Sequence, residues 1–135
     1  MLLEAYLCLS TMIYFEARGE PALGQIGVAQ TAISRMIHPD YPDTICEVIK
    51  EGRYDRRGNP LIHKCQFSYW CDGRKEVVTD GEAFARAMLY GALAFILPLK
   101  TLESTHYHST SVSPWWAEEM EEVARIGNHI WFREP

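Results

Sequence analysis

The stretch Tyr14-Phe15-Glu16-Ala17-Arg18-Gly19-Glu20-Pro21 constrains this chain more than any other. An apolar run with helical spacing reaches it, and a glycine and a proline follow within five residues of Glu16. Glycine after the last periodic residue stops a helix. Proline suits the first turn of the next, where its missing N–H is no loss. The stretch is therefore a helix–helix junction, with Glu16 at the end of the first helix and Glu20 at the start of the second. A carboxyl among bulky neighbours at such a junction loses hydration. That raises its pKa and suits it to general acid chemistry.

Leu2, Tyr6, Leu9 and Ile13, widened by Leu3, Leu7 and Phe15, predict an amphipathic helix over 2–17. Leu23, Ile26, Val28, Ala29, Ala32, Ile33 and Met36 predict a second from Pro21 to about His38, where Pro39 and Pro42 end it. Gly24, Gly27 and Ala29 leave room for another helix to approach. A short helix is expected over 43–50, then a charged surface loop over 51–61 and a polar-aromatic segment over 63–73. Thr79 and Glu82 have the spacing of a capping box, opening a helix to about Leu97 that is apolar nearly all round and expected to be the buried centre. Residues 102–109 read as a strand, Ser113 to Val123 as a short helix, and 126–132 as a strand that pairs with 102–109. The fold class is α+β, predominantly α-helical, with a small antiparallel β-ribbon. At 135 residues and 47% hydrophobic, one domain over 1–135 is expected.

A net charge of −5 argues against nucleic acid as the main partner, since phosphate binding needs a basic footprint. The longest later apolar run, Ala87 to Leu99, is too short for a membrane span, and Glu4 without a preceding cation speaks against a secretory leader. A monomer is expected. Cys8 reads as a small core residue. One disulfide among Cys46, Cys65 and Cys71 would be open to an oxidising compartment, its pairing not legible.

Gln66-Phe67-Ser68-Tyr69-Trp70 sets amide, hydroxyl and stacking groups side by side, as a sugar-binding groove requires; Phe67 and Trp70 could equally be core rings. His106 and His108 share a face of the expected strand, which would suit a metal pair completed by His129 or His63. No recognised ligand spacing supports it, and no metal or other cofactor is expected. Cys65 or Cys71 as a nucleophile lacks a local signature. Trp115, Trp116 and Trp131 read as core and staple residues.

Taken together, Phe15-Glu16-Ala17-Arg18-Gly19-Glu20-Pro21, Gly24-Gln25, Val28-Ala29, Ser34-Arg35, Tyr41 to Ile49, Cys65-Gln66-Phe67-Ser68, Thr105 to His108 and Ile126 to Ile130 resemble, in order, the SleB/CwlJ-type cell wall hydrolases. The resemblance runs from about residue 10 to 133, with Tyr69 inserted before Trp70. It implies a lysozyme-like fold and cleavage of peptidoglycan glycan strands at the β-1,4 bond between N-acetylmuramic acid and N-acetylglucosamine. The implied catalytic acid/base is Glu16, acting as in a lytic transglycosylase; the alternatives are a hydrolytic muramidase and a non-catalytic wall-binding module. A second carboxylate, Glu20 above all, would signal hydrolysis. Gln66, Phe67, Ser68, Tyr69, Trp70, Tyr107, His108 and Asn128 are the candidate substrate-binding residues. Action on the bacterial cell wall, in the periplasm or outside the cell, is implied. With no leader legible, a phage-encoded enzyme or delivery by another component is the expectation.

Overall fold

Helix α1 (Leu2–Ala17) delivers the junction to the middle of the molecule. In the computed structural model, which describes residues 2–135, its second half is buried through Leu9, Met12, Ile13, Tyr14 and Ala17. Its first turn is not: Leu2 is 82% exposed, so the apolar stripe covers the core only from the third turn onward. Helix α2 (Ala22–Ile37) follows Pro21 and is buried from Gly24 to Ile33 without a break. It, and not the later apolar helix, is the buried centre. Its two glycines face the sheet: a Cβ on Gly27 would stand 2.8 Å from the Trp131 ring, and one on Gly24 3.7 Å from Ile126.

Helix α3 (Ile45–Ile49) is shorter than expected and is capped by Thr44, whose side chain accepts from the Glu47 N–H. The expected surface loop after it is a two-stranded hairpin, β1 (Gly52–Tyr54) and β2 (Pro60–Cys65), paired antiparallel. Its arms are solvent-exposed, so no apolar alternation marks them. Helix α4 (Gly81–Ala94) is capped by Asp80, not Thr79, with the Asp80 carboxylate accepting from the Ala83 N–H at 3.0 Å. It buries only a stripe of small residues, Ala83, Ala87, Gly91 and Ala94, and ends three residues earlier than expected. Pro98, with no N–H for the Ala94 carbonyl, prevents its continuation, and the amide of buried Gln30 of α2 donates instead to the Ala94 and Leu97 carbonyls at 3.2 and 2.8 Å.

Strand β3 is shorter than expected (His106–Ser109), following a 3₁₀ turn at Lys100–Glu103. Only Trp115–Glu119 of the expected helix is helical, as a 3₁₀ turn, and Trp115 is 78% exposed. The rest is strand β4 (Glu121–Ile126), which joins β5 (His129–Arg133) through a Gly127-Asn128 turn. The sheet order is β3-β5-β4, all antiparallel. Trp131 of β5 is fully buried against α2.

All four cysteines are paired. Cys8 of α1 bonds Cys46 of α3, and Cys65 bonds Cys71 across the polar-aromatic segment, with Cα atoms 5.5 and 6.1 Å apart. Cys8 is thus a cross-link and not a simple core residue, and neither pair is free to serve as a nucleophile.

Candidate active site at the end of the first helix

Glu16 sits in the last turn of α1, where the buried face of the helix meets the 66–70 segment. Phe15 stacks on Tyr69 with centroids 5.3 Å apart, and this brings the segment over the helix end. The side chains of Glu16, Arg35, Gln66, Phe67, Ser68 and Tyr107 line one pocket of about 180 Å³. Among the described residues that line it, Glu16 is the one carboxylate. Burial pushes its pKa up to about 7. A group so poised is half protonated near neutrality, as a proton donor that must later take the proton back requires.

The other groups are held from several elements. Phe67 is buried, and its ring stacks on Tyr107 of β3 with centroids 6.3 Å apart. Tyr107 shares a sheet face with Trp131 and His129. Its phenol is pushed well above the usual range, by burial first and then by the Glu16 carboxylate, and its hydroxyl makes no hydrogen bond among the described residues. Tyr69 is likewise raised, by burial first and then by Glu16 and Glu76. It does not line this pocket: its ring packs on Phe15 and borders two neighbouring clefts.

Arg35 was not singled out from the sequence as a site residue. It is buried in α2, where an isolated arginine among Ile33, Met36 and Ile37 reads as a residue at the helix end. In the fold its Nε donates to the Thr105 carbonyl at 2.7 Å and its Nη1 to Gln66 Oε1 at 3.3 Å. A buried position within an otherwise apolar stripe was the signal for it.

The other candidates also stand elsewhere. Trp70 turns to another face, where its Nε1 donates to the Tyr54 hydroxyl at 2.8 Å and Lys50 lies over its ring. His108 lies on the sheet face opposite Tyr107, as strand alternation dictates, stacked on Phe132 and against Trp116. Asn128, in the β4–β5 turn, binds Glu20. Glu20 in turn neither caps α2 nor pairs with Arg18. Its carboxylate accepts from the Asn128 N–H at 2.7 Å and the Asn128 amide at 3.2 Å, and lies 3.0 Å from His129 Nδ1. Arg18 instead lies over the Tyr14 ring and donates to its hydroxyl. The Tyr14 oxygen also accepts the N–H groups of Thr79 and Asp80, fixing the entry to α4. His106 and His108 share a face, but His129 lies on the other, bound to Glu20, and His63 sits in β2.

A family model described as "Cell Wall Hydrolase" matches residues 19–132. The spore cortex-lytic enzyme of Bacillus cereus is 40% identical over 125 residues, 90% of this chain and 41% of that protein. The enzyme of the same name from Halalkalibacterium halodurans is 34% identical over 90% of this chain and 32% of its own length. This chain thus spans about a third to two fifths of these curated relatives. The catalytic domain of the germination-specific lytic transglycosylase SleB from Bacillus anthracis superposes with a TM-score of 0.72 at 24% identity, covering 96% of this chain and 93% of that one. The relatives are bacterial, and a phage origin gains no support from them. The chain belongs to the cell wall hydrolase family.

Proposed function

We propose that this cell wall hydrolase cuts the β-1,4 bond between N-acetylmuramic acid and N-acetylglucosamine as a lytic transglycosylase, with Glu16 as the single acid and base. The observation that carries the reading is a pocket with one carboxylate, half protonated near pH 7. Protonated Glu16 gives its proton to the glycosidic oxygen as the C1–O bond breaks. The resulting carboxylate takes the proton of the muramic 6-hydroxyl while that oxygen attacks C1. The product is a 1,6-anhydro end, and Glu16 is protonated again. Attack by water would need a second carboxylate placed across the scissile bond. Glu20 is engaged with Asn128 and His129, Asp55 accepts backbone N–H groups in the β1–β2 turn, and Asp72 lines a separate cleft.

Gln66 and Ser68 supply hydrogen bonds to the sugar, and Phe67 and Tyr107 form the wall that dries Glu16. Residues 1–135 act as one catalytic domain. The relatives named for spore-cortex lysis and for lytic transglycosylation support the substrate class. Two disulfides support a site of action outside the cytoplasm.

Purified Glu16→Gln, with its fold verified by circular dichroism, is expected to cleave peptidoglycan about 10²–10⁴-fold more slowly than wild type. Mass spectrometry of wild-type products is expected to show ends lighter by one water than reducing ends. Cleavage by Glu16→Gln at the wild-type rate overturns the assignment, and reducing ends overturn the transglycosylase step.

A further inference from the structure

Arg35 is 5% exposed, and its guanidinium lies over two rings, 5.0 Å from the centroid of Tyr41 and 5.2 Å from that of Phe67. Its Nε is spent on Thr105 and one Nη1 hydrogen on Gln66. Among the described residues no carboxylate lies within ion-pair distance of it. A guanidinium carries donors only, so it can face just one end of a side-chain amide, the oxygen. The orientation of Gln66 is thereby imposed: Oε1 is taken by Arg35 and the NH₂ end is left over. That NH₂ makes no hydrogen bond among the described residues, and Gln66 is exposed where it lines the Glu16 pocket. Without Arg35 the amide could turn over and present either end.

The wall built by Arg35 and Gln66 therefore offers N–H donors, backed by a buried positive charge. A carbonyl oxygen fits such a wall. An ammonium group does not, because it brings no acceptor and adds a second positive charge. On a glycan of N-acetylated sugars the acetamido carbonyl is the group of the first kind, and the amine left by its hydrolysis is the second.

We infer that Gln66, held in one orientation by Arg35, binds an acetamido carbonyl of the glycan, and that this pair makes the enzyme reject N-deacetylated strands. The inference rests on the reading of the Glu16 pocket as a glycan-cleaving site. Gln66 is the binding residue; Arg35 is a positioning residue that acts through it.

The test compares kcat/KM on peptidoglycan, on the same material after chemical N-deacetylation, and on material re-acetylated afterwards, for wild type, Gln66→Glu and Arg35→Lys. Wild type is expected to prefer the acetylated strand by about tenfold or more, with re-acetylation restoring the rate. Gln66→Glu turns the presented donor into an acceptor. It is expected to lose about tenfold on acetylated glycan and to keep a preference of less than about threefold. Its melting temperature should equal or exceed that of wild type, because a carboxylate there pairs with Arg35; this separates lost recognition from lost folding. Arg35→Lys keeps the cation but loses the fork, and is expected to show an intermediate preference carried mainly by KM.

Equal cleavage of both strands by wild type, or full preference in Gln66→Glu, overturns the inference. If wild type cleaves neither strand, the underlying functional reading is overturned as well, an outcome distinct from cleavage without preference.

Discussion

Glu16 links the stability of the protein to its activity through one proton. Its pKa rises from 4.5 to about 7 on folding because burial disfavours the charged form. The folded protein thus binds this proton more tightly than the unfolded chain. Its contribution is fully present below about pH 4.5 and is lost as pH rises through about 7. Two and a half pKa units set a ceiling of about 3 kcal/mol on that loss. Glu16→Gln removes the titration, so the variant should match wild type in melting temperature near pH 4 and melt several degrees higher at pH 8. A gap that stays constant with pH would falsify the assigned pKa. For wild type, kcat/KM should fall about tenfold per pH unit above about 7, as the proton donor is lost. Glu16 was legible because a helix end, a bulky neighbour and a chain break coincide in eight residues. Arg35 was not, because its partners Thr105 and Gln66 are 70 and 31 residues away, and only folding brings them to it.

At the scale of elements, the two disulfides do different work. Cys8–Cys46 closes a separation of 38 residues and joins α1 to α3; Cys65–Cys71 closes one of 6 and brackets Gln66, Phe67 and Ser68. Loop-closure entropy assigns about 4 kcal/mol to the first and about 2 kcal/mol to the second. The expected effects on activity run in the opposite order. Cys8→Ser with Cys46→Ser should lower the denaturant midpoint more and leave cleavage by the folded fraction near wild type. Cys65→Ser with Cys71→Ser should cost less stability and at least tenfold in rate, since the pocket wall is no longer pinned. Both quantities are read from the same two double variants, and parallel losses would count against the division.

Helix α2 was legible in register and extent because its apolar positions repeat at helical spacing between two proline breaks. Strand β4 was not: Val123, Ala124 and Ile126 suit a helix as well as a strand, and pairing with β5 decides. The Gly127-Asn128 pair between two short runs was the overlooked hairpin signal, and Gly127 has the positive φ such a turn needs.

For the whole molecule, the second glutamate of the opening stretch joins the helical layer to the sheet. Glu20 stands just before α2, is 11% exposed in its side chain, and binds the tip of the β4–β5 hairpin by three contacts. Gly127 packs into the same corner, where an added Cβ would come within 2.8 Å of Pro21. Burial alone would raise the Glu20 pKa, yet the hydrogen bonds from Asn128 and His129 outweigh it and hold the carboxyl below its usual value. A depressed pKa contributes stability that is present above 4.5 and lost as pH falls through the folded value. The two glutamates of one stretch therefore push stability in opposite directions with pH, Glu16 favouring acid and Glu20 opposing it. Replacing Glu20 with Gln leaves an amide where two N–H groups and an imidazole need an acceptor. The expected cost is about 1.5–3 kcal/mol at pH 7, shrinking as pH falls through the lowered pKa of folded Glu20. Because α2 also carries Arg35, the loosened corner reaches the pocket through that helix, and cleavage should fall less than stability does. Thermal melts of Glu20→Gln, Glu16→Gln and the double variant, followed from pH 8 down through the acid range, check this. The sign of the pH effect should reverse between the single variants, and near-additive shifts in the double variant would place the carboxylates in independent roles, one in the chemistry and one in the assembly of the fold.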